Sequence, residues 1–310
     1  MNGSAEVYSA RMAAMRAAQD GLLRSVRVAL GGRFRLTCLM PKRARMPIAL
    51  TIAGSDSGGG AGIQTDLKTF AALGVHGASA ITCVTAQNPR GVTGIEAVTP
   101  SMVRRQIEAV FAELPPRAVK TGMLYSAPII RVVADYFGSG RRPSLVVDPV
   151  MVATSGARLL KPAAVRALLD ELLPLATLVT PNLDEAEILV GMKLRSVDDL
   201  RWAAHEIYGR FGCAALVKGG HLRSERQAVD VFFDGREELI LNAPFIRGVG
   251  THGTGCTYSS AIAAYLARGL ELVESVQRAK QFITRAIRGS RRIGRHWVLD
   301  TFGQAGLRGL

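Results

Sequence analysis

Several features that this 310-residue chain lacks narrow its class before any motif is read. It has no run of 18 or more uninterrupted apolar residues, which argues against a membrane-spanning helix and a membrane partner. Only four cysteines occur, Cys38, Cys83, Cys213 and Cys256, with no C-x-x-C pair and no paired spacing to the five histidines. A zinc site or disulfide framework is therefore not expected, and a reducing, cytoplasmic setting is. Aromatics make up 6% of the chain, and no stacking platform is interleaved with its basic clusters. That speaks against a nucleic-acid partner despite a net charge of +14. No linker or internal repeat divides the body.

The positive charge is unevenly spread. Residues 1–46 hold nine Lys/Arg against Glu6 and Asp20, the Arg-rich, acid-poor composition of an organelle transit peptide. A start codon assigned too far upstream of Met46 would give the same pattern. Residues 1–46 are expected to be a basic extension outside the fold, and 47–310 a single domain. Arg285, Arg288, Arg291, Arg292 and Arg295 stand at spacings that suit a solvated helix face.

With 48% hydrophobic and 21% charged residues, the composition is that of an ordinary globular protein. Short apolar strands alternate with helical patterns from Ile48 onward. Strands are expected at 48–53, 79–85, 145–148, 177–180 and 214–218, and helices at 63–73, 101–114, 162–173, 183–190 and 197–211. Strands of near-continuous apolar character separated by helices indicate an α/β fold with a mostly parallel sheet covered on both faces. Residues 229–233 and 238–242, joined by Asp234-Gly235, read as a small antiparallel hairpin at one edge. Ligands of such sheets bind beyond the carboxyl ends of the strands, and the unusual residues gather there.

The run Thr251-His252-Gly253-Thr254-Gly255-Cys256-Thr257 leads straight into a small-residue helix. A helix N-terminus after such a turn gathers backbone N–H groups and partial positive charge, a setting for an anion. A thiol there is expected to lose its proton more readily than usual, so Cys256 is the candidate base or nucleophile. Gly58 to Gly62 holds four glycines in five positions, which suits a binding loop and a tight strand-to-helix turn equally; it matches neither the P-loop nor a clean G-x-G-x-x-G. Asp66, in the helix that follows, reads as a ligand or a surface residue. Asn182 and Glu185, three apart at a helix start, could offer oxygen ligands to Mg²⁺ or simply cap the helix. Lys218, between an apolar strand and Gly219-Gly220, could meet a phosphate or snorkel to solvent. Cys83 and Cys213 lie in apolar runs and read as core, and His221 and His252 as hydrogen-bonding loop residues.

The order of these motifs is more specific than any one of them. They are ALTIAGSDSGGGAGIQTDLKTF (49–70), VTAQN (84–88), KTGML (120–124), VVDPVM (146–151), TPNLDEA (180–186), KGGH (218–221) and THGTGCT (251–257). The stretch from Ile48 to about Arg288 resembles the hydroxymethylpyrimidine/phosphomethylpyrimidine kinases of thiamine biosynthesis, within the ribokinase-like superfamily. The resemblance implies a three-layer α/β fold and ATP-dependent phosphorylation of 4-amino-5-hydroxymethyl-2-methylpyrimidine, then of its monophosphate. It places the pyrimidine near Gly54, Asp66, Gln87 and Met123, with Asp66 and Gln87 bonding to its aminopyrimidine edge. It places ATP and Mg²⁺ by Asp148, Asn182, Glu185, Lys218 and Thr254, an anion hole at the amides of Gly253 to Cys256, including Gly255, and Cys256 as base. Relatives are commonly dimers, so a homodimer is expected.

Two departures, Thr121 where an Ile is common and the additional Gly60, touch no named chemical role. Neither a fused thiamine-phosphate synthase nor a DNA-binding domain is expected beyond the kinase-like stretch. Two rivals remain: a pyridoxal/pyridoxine kinase, which would accept a ring of similar size, and a non-catalytic pyrimidine sensor.

Overall fold

The computed structural model describes residues 45–139, 143–151, 160–220, 222, 227–250 and 252–302. The predicted extension at 1–46 lies almost wholly outside these residues, as do His221, Thr251 and Cys38. A compact unit begins at Met46.

Nine strands form one sheet. In chain order they are β1 (Ile48–Asp56), β2 (His76–Asn88), β3 (Gly91–Ala97), β4 (Ala118–Thr121), β5 (Ser144–Val147), β6 (Leu178–Val179), β7 (Ala214–Lys218), β8 (Gln227–Phe233) and β9 (Glu238–Pro244). Their spatial order is β3-β2-β1-β4-β5-β6-β7-β8-β9. Pairs from β2 through β7 are parallel, and the sheet turns antiparallel at both margins, β2–β3 and β7–β8–β9. The hairpin at the β9 edge was expected. The one at the β3 edge was not, because β3 carries no buried residue and so no hydrophobic alternation.

Among the described residues eight α-helices cover the sheet: α1 (Gly62–Ala72), α2 (Pro100–Glu113), α3 (Ala127–Gly138), α4 (Pro162–Ala167), α5 (Leu183–Val190), α6 (Val197–Phe211), α7 (Thr254–Ala267) and α8 (Leu272–Arg288). Alternate residues of the central strands feed two separate cores. Leu50 and Ile52 of β1 pack with Val103, Ile130 and Ile207 from α2, α3 and α6. Ala49 faces the other way, toward Phe70, Ile262 and Phe282 from α1, α7 and α8. A strand buried on both faces needs apolar residues at every position, which is why these strands read as continuous apolar runs. The arrangement is the predicted three-layer fold.

Local chemistry sets the helix ends near the site. Asn182 caps α5 in a reciprocal box with Glu185, and Gly191 closes the helix at φ +76°. Ser196 and Asp199 do the same for α6, closed by Gly212 at φ +70°. Beyond α4 the chain continues as a π-helical turn and a 3₁₀ turn through Leu175, so the helix expected over 162–173 is one irregular run. The arginine series does not share one helix face: α8 ends at Arg288, while Arg291 and Arg292 lie in β10 (Arg291–Ile293), which pairs with β11 (His296–Val298).

Candidate active site

The chain leaves β1 toward β2 on one side and later returns at β4 on the other. This switch point leaves a crevice beyond the carboxyl ends of the strands, and a cleft of about 530 Å³ opens there. Every site residue predicted from the sequence lines it except Asp66.

Asp66 lies beneath the cleft and is fully buried. Its carboxylate accepts from Lys120 Nζ at 2.8 and 2.9 Å, from Thr51 Oγ1 at 2.6 Å and from Ser260 Oγ at 2.6 Å. With that many donors already bound it has no capacity left for a pyrimidine edge, so the expected substrate contact is corrected to a foundation role. Helical spacing placed Asp66 in α1 but could not say that this face turns toward β4 and α7. Lys120, whose role the sequence left unassigned, is the missed partner. Burial disfavours its ammonium, yet the carboxylates of Asp66 and Asp148 and the Cys256 thiol more than offset this and lift its pKa above the usual lysine range.

Gly58 to Gly62 forms the tight turn, wrapped around a carboxylate. Asp56 accepts from the N–H of Gly58 at 2.8 Å, Gly60 at 3.1 Å and Ala61 at 2.8 Å, and His252 Nε2 lies 3.6 Å away. Burial works against ionised Asp56, but His252 and these amides outweigh it and hold its pKa below the usual range. Those amides therefore point at Asp56 and are not a phosphate cradle. The loop interlocks by backbone with the start of α7: a Cβ on Gly253, at φ +81°, would lie 1.8 Å from the Gly60 carbonyl oxygen.

On the acceptor side, Gly54, Thr85, Gln87, Val92 and Met123 line the cleft. A bulge sets Gly54 opposite both Thr82 and Cys83 of β2. A Cβ at Gly54 would approach Cys83 Sγ to 2.8 Å and Met123 Cε to 3.0 Å, so only glycine leaves this wall open. Gln87 is held through its backbone N–H, which donates to Ser57 Oγ at 2.8 Å, and its Oε1 accepts from Thr85 Oγ1 at 3.2 Å.

On the far side, Lys218 ends β7 with its Nζ 3.2 Å from Asp148 Oδ1. Asp148 also accepts from Ser259 Oγ at 3.2 Å and Thr180 Oγ1 at 3.4 Å. Glu185 is 2% exposed and accepts from the N–H of Met151 at 3.0 Å and of Asn182 at 2.9 Å. The capping reading of Asn182 and Glu185 is thus realised in full, and both also border the cleft. Burial pushes the Glu185 carboxyl up to about 7; Lys218 and the two amides pull it down, and Asp148 adds to the rise. Asp148, the Glu185 carboxyl and the Asn182 side chain offer oxygen donors at one end of the cleft, and a bound cation would favour the ionised form of Glu185, so the donor set fits Mg²⁺ completed by phosphate oxygens and water.

Between the two sides, α7 starts at Thr254, so the amides of Gly253 to Cys256 lie in its first turn, whose N–H groups point along the helix axis into the cleft. A Cβ on Gly255 would lie 3.2 Å from Lys218 Nζ, so a side chain here would displace the ammonium by a few tenths of an ångström. The Cys256 thiol is not acidified as its helix position suggested. Burial pushes its pKa up to about 11; Lys120 and the Gly62 N–H pull it down, while Asp148 and Asp66 push it further up. The helix-terminus expectation omitted burial of the thiol, the largest cause, and the two carboxylates that the fold brings to the same spot.

Comparison with known proteins shows the family. The family model for phosphomethylpyrimidine kinase matches residues 56–299. The hydroxymethylpyrimidine/phosphomethylpyrimidine kinase of Synechococcus elongatus is 50% identical over 249 residues, covering 80% of this chain and 94% of its own. Among solved structures, the phosphomethylpyrimidine kinase of Clostridium difficile is 46% identical with a TM-score of 0.70, over 78% of this chain and 99% of that one. The pyridoxal kinase of Bacillus subtilis, solved as an ADP complex, is 38% identical with a TM-score of 0.75, over 83% and 98%.

Proposed function

This chain belongs to the phosphomethylpyrimidine kinase family, and from that premise we infer how its cleft works. The enzyme phosphorylates 4-amino-5-hydroxymethyl-2-methylpyrimidine with ATP and then phosphorylates the monophosphate to the diphosphate, in thiamine biosynthesis. The observation that carries the residue assignment is one cleft joining the Gln87–Met123 wall to the Lys218–Asp148 pair, with Cys256 between them. The sensor reading does not survive the family assignment. The pyridoxal kinase reading is the weaker one, at 38% identity against 50% and 46% for the pyrimidine kinases.

Gly54, Gln87 and Met123 would hold the pyrimidine ring. Phosphoryl transfer asks for alignment and for neutralisation of charge on the transferred group more than for covalent help. Lys218 supplies an ammonium and the amides of Gly253 to Cys256 an anion hole. Mg²⁺, held by Asn182 and Glu185 with Asp148 beside them, would neutralise phosphate charge when bound.

Cys256 is the group placed to take the acceptor hydroxyl proton. With a pKa of about 11 it is protonated at neutral pH in the ligand-free protein. Burial is the largest cause of this, with Asp148 and Asp66 adding to it, so proton transfer to Cys256 depends on the Lys120 ammonium and the Gly62 N–H, which favour the thiolate. The second transfer needs no such help, because a phosphate monoester with a second pKa of about 6 is already ionised at pH 7.

A cytoplasmic location and a homodimer complete the proposal. The free thiols of Cys83, Cys213 and Cys256 suit a reducing compartment. Val84, 51% exposed on β2, offers apolar surface to a second copy. Mass spectrometry of products after incubation with Mg-ATP and hydroxymethylpyrimidine, its monophosphate or pyridoxal tests the reaction. Pyrimidine mono- and then diphosphate is the expected result; phosphorylated pyridoxal with little pyrimidine product would overturn it.

A further inference from the structure

The cleft wall holds a second ion pair that the chemistry above does not use. Lys280 Nζ, from α8, donates to Asp230 Oδ2 at 2.7 Å and to the Ala228 carbonyl at 3.1 Å. The two residues are 8% and 4% exposed, and both border the cleft. Asp230 is the cross-strand partner of Lys218 in the β7–β8 ladder. Its other oxygen, Oδ1, accepts from the N–H of Gly219 at 3.2 Å, the residue that follows Lys218. The same N–H donates to the Val229 carbonyl at 3.0 Å. A Cβ on Gly219 would lie 2.3 Å from Leu200 Cδ1 and 2.5 Å from that carbonyl, so this turn is closely packed as well as bonded.

Stability is a poor reason for such a pair. Taking two charges out of water is expensive, and apolar replacements of similar volume are often neutral or better. The same helix face is already apolar, since Val276 and Ile283, one turn to either side of Lys280, are buried. What an ion pair supplies and a methionine cannot is direction: the ammonium fixes a carboxylate that points at the amide beside Lys218. We propose that Lys280 is a positioning residue for the nucleotide phosphates, acting through Asp230 on the Lys218-Gly219 turn and so on where the Lys218 ammonium stands.

The proposal rests on ATP as the phosphoryl donor, and calorimetric binding of Mg-ATP and of AMP tests it. Loss of a charge-assisted hydrogen bond leads us to expect Lys280→Met to weaken Mg-ATP about tenfold while AMP changes less than about twofold, and Lys280→Arg to recover most of the loss. Lys280→Met leaves Asp230 as an unpaired buried charge, so the double variant Lys280→Met/Asp230→Asn is measured beside it. It should regain thermal stability and keep the ATP-selective loss, because the side chain at 230 then lacks the ammonium that directs it at the Gly219 amide. Parallel losses for ATP and AMP, or wild-type ATP affinity in the double variant, overturn the proposal. A wild type that binds Mg-ATP but makes no pyrimidine phosphate refutes the acceptor assignment and leaves the Lys280 result standing.

Discussion

Two of the three lysine–aspartate pairs at the cleft, Lys120–Asp66 and Lys218–Asp148, differ in how completely they are used. Lys120 and Asp66 have side chains at 0% exposure and meet at 2.8 Å, and the Asp66 carboxylate accepts from two further hydroxyls at 2.6 Å. Lys218 and Asp148 are 12% and 4% exposed, meet at 3.2 Å, and have a second carboxylate, Glu185, beside them. The first pair is saturated and can take no ligand without breaking a short bond in a dry place. The second is loose, open to the cleft and short of positive charge, so it can exchange part of its bonding for phosphate and metal. Identical residue types therefore do opposite work, one carrying the architecture and the other the chemistry.

Lys120→Met should break that contrast most severely. It leaves Asp66 charged and unpaired in the core, for which about 3–5 kcal/mol of stability is the expected loss, read from the urea midpoint. A midpoint like that of wild type would deny the foundation role. Lys218→Met should do the reverse, lowering kcat by about 10²–10³-fold through loss of charge stabilisation while sacrificing less than half as much stability. If the two variants lose stability equally, the comparison fails.

Cys256 sharpens it on a smaller scale. Cys256→Ala is expected to slow the first phosphorylation about 10²-fold and the second far less, measured as separate single-turnover rates; equal losses would remove the base role. In the ligand-free wild type, a thiol raised to about 11 is more protonated at every lower pH. Iodoacetamide labelling at Cys256 should accordingly rise about tenfold per pH unit from 7 to 10. A plateau near neutral pH would show a thiolate that the two carboxylates do not suppress.

Much of the fold was legible because its strands are buried on both faces. The segments around Ile52, Val146 and Val217 announce themselves as apolar runs, and Asn182-x-x-Glu185 and Ser196-x-x-Asp199 mark helix starts by chemistry that acts within four residues. The exposed β3 strand carries no such pattern and was missed. The helix Ala127–Gly138 went unassigned because Ile129, Ile130, Val132 and Val133 read as strand formers, and packing against α2 and the sheet overrode them. Cys256 and Lys218 were legible because each sits in a glycine-rich turn at a strand or helix end. Asp66 was placed correctly in its helix and given the wrong face.

By itself the sequence determined the order of elements, the residues that end strands, and the family, since each is written in neighbouring residues or in motif order. Only the tertiary structure decided which carboxylate is used up and which is available. Asp66 meets Ser260 across 194 positions, and Asp148 meets Ser259 across 111. Burial, partner count and the charge felt at Cys256 are sums over groups brought together by the sheet and α7, and no local window contains them.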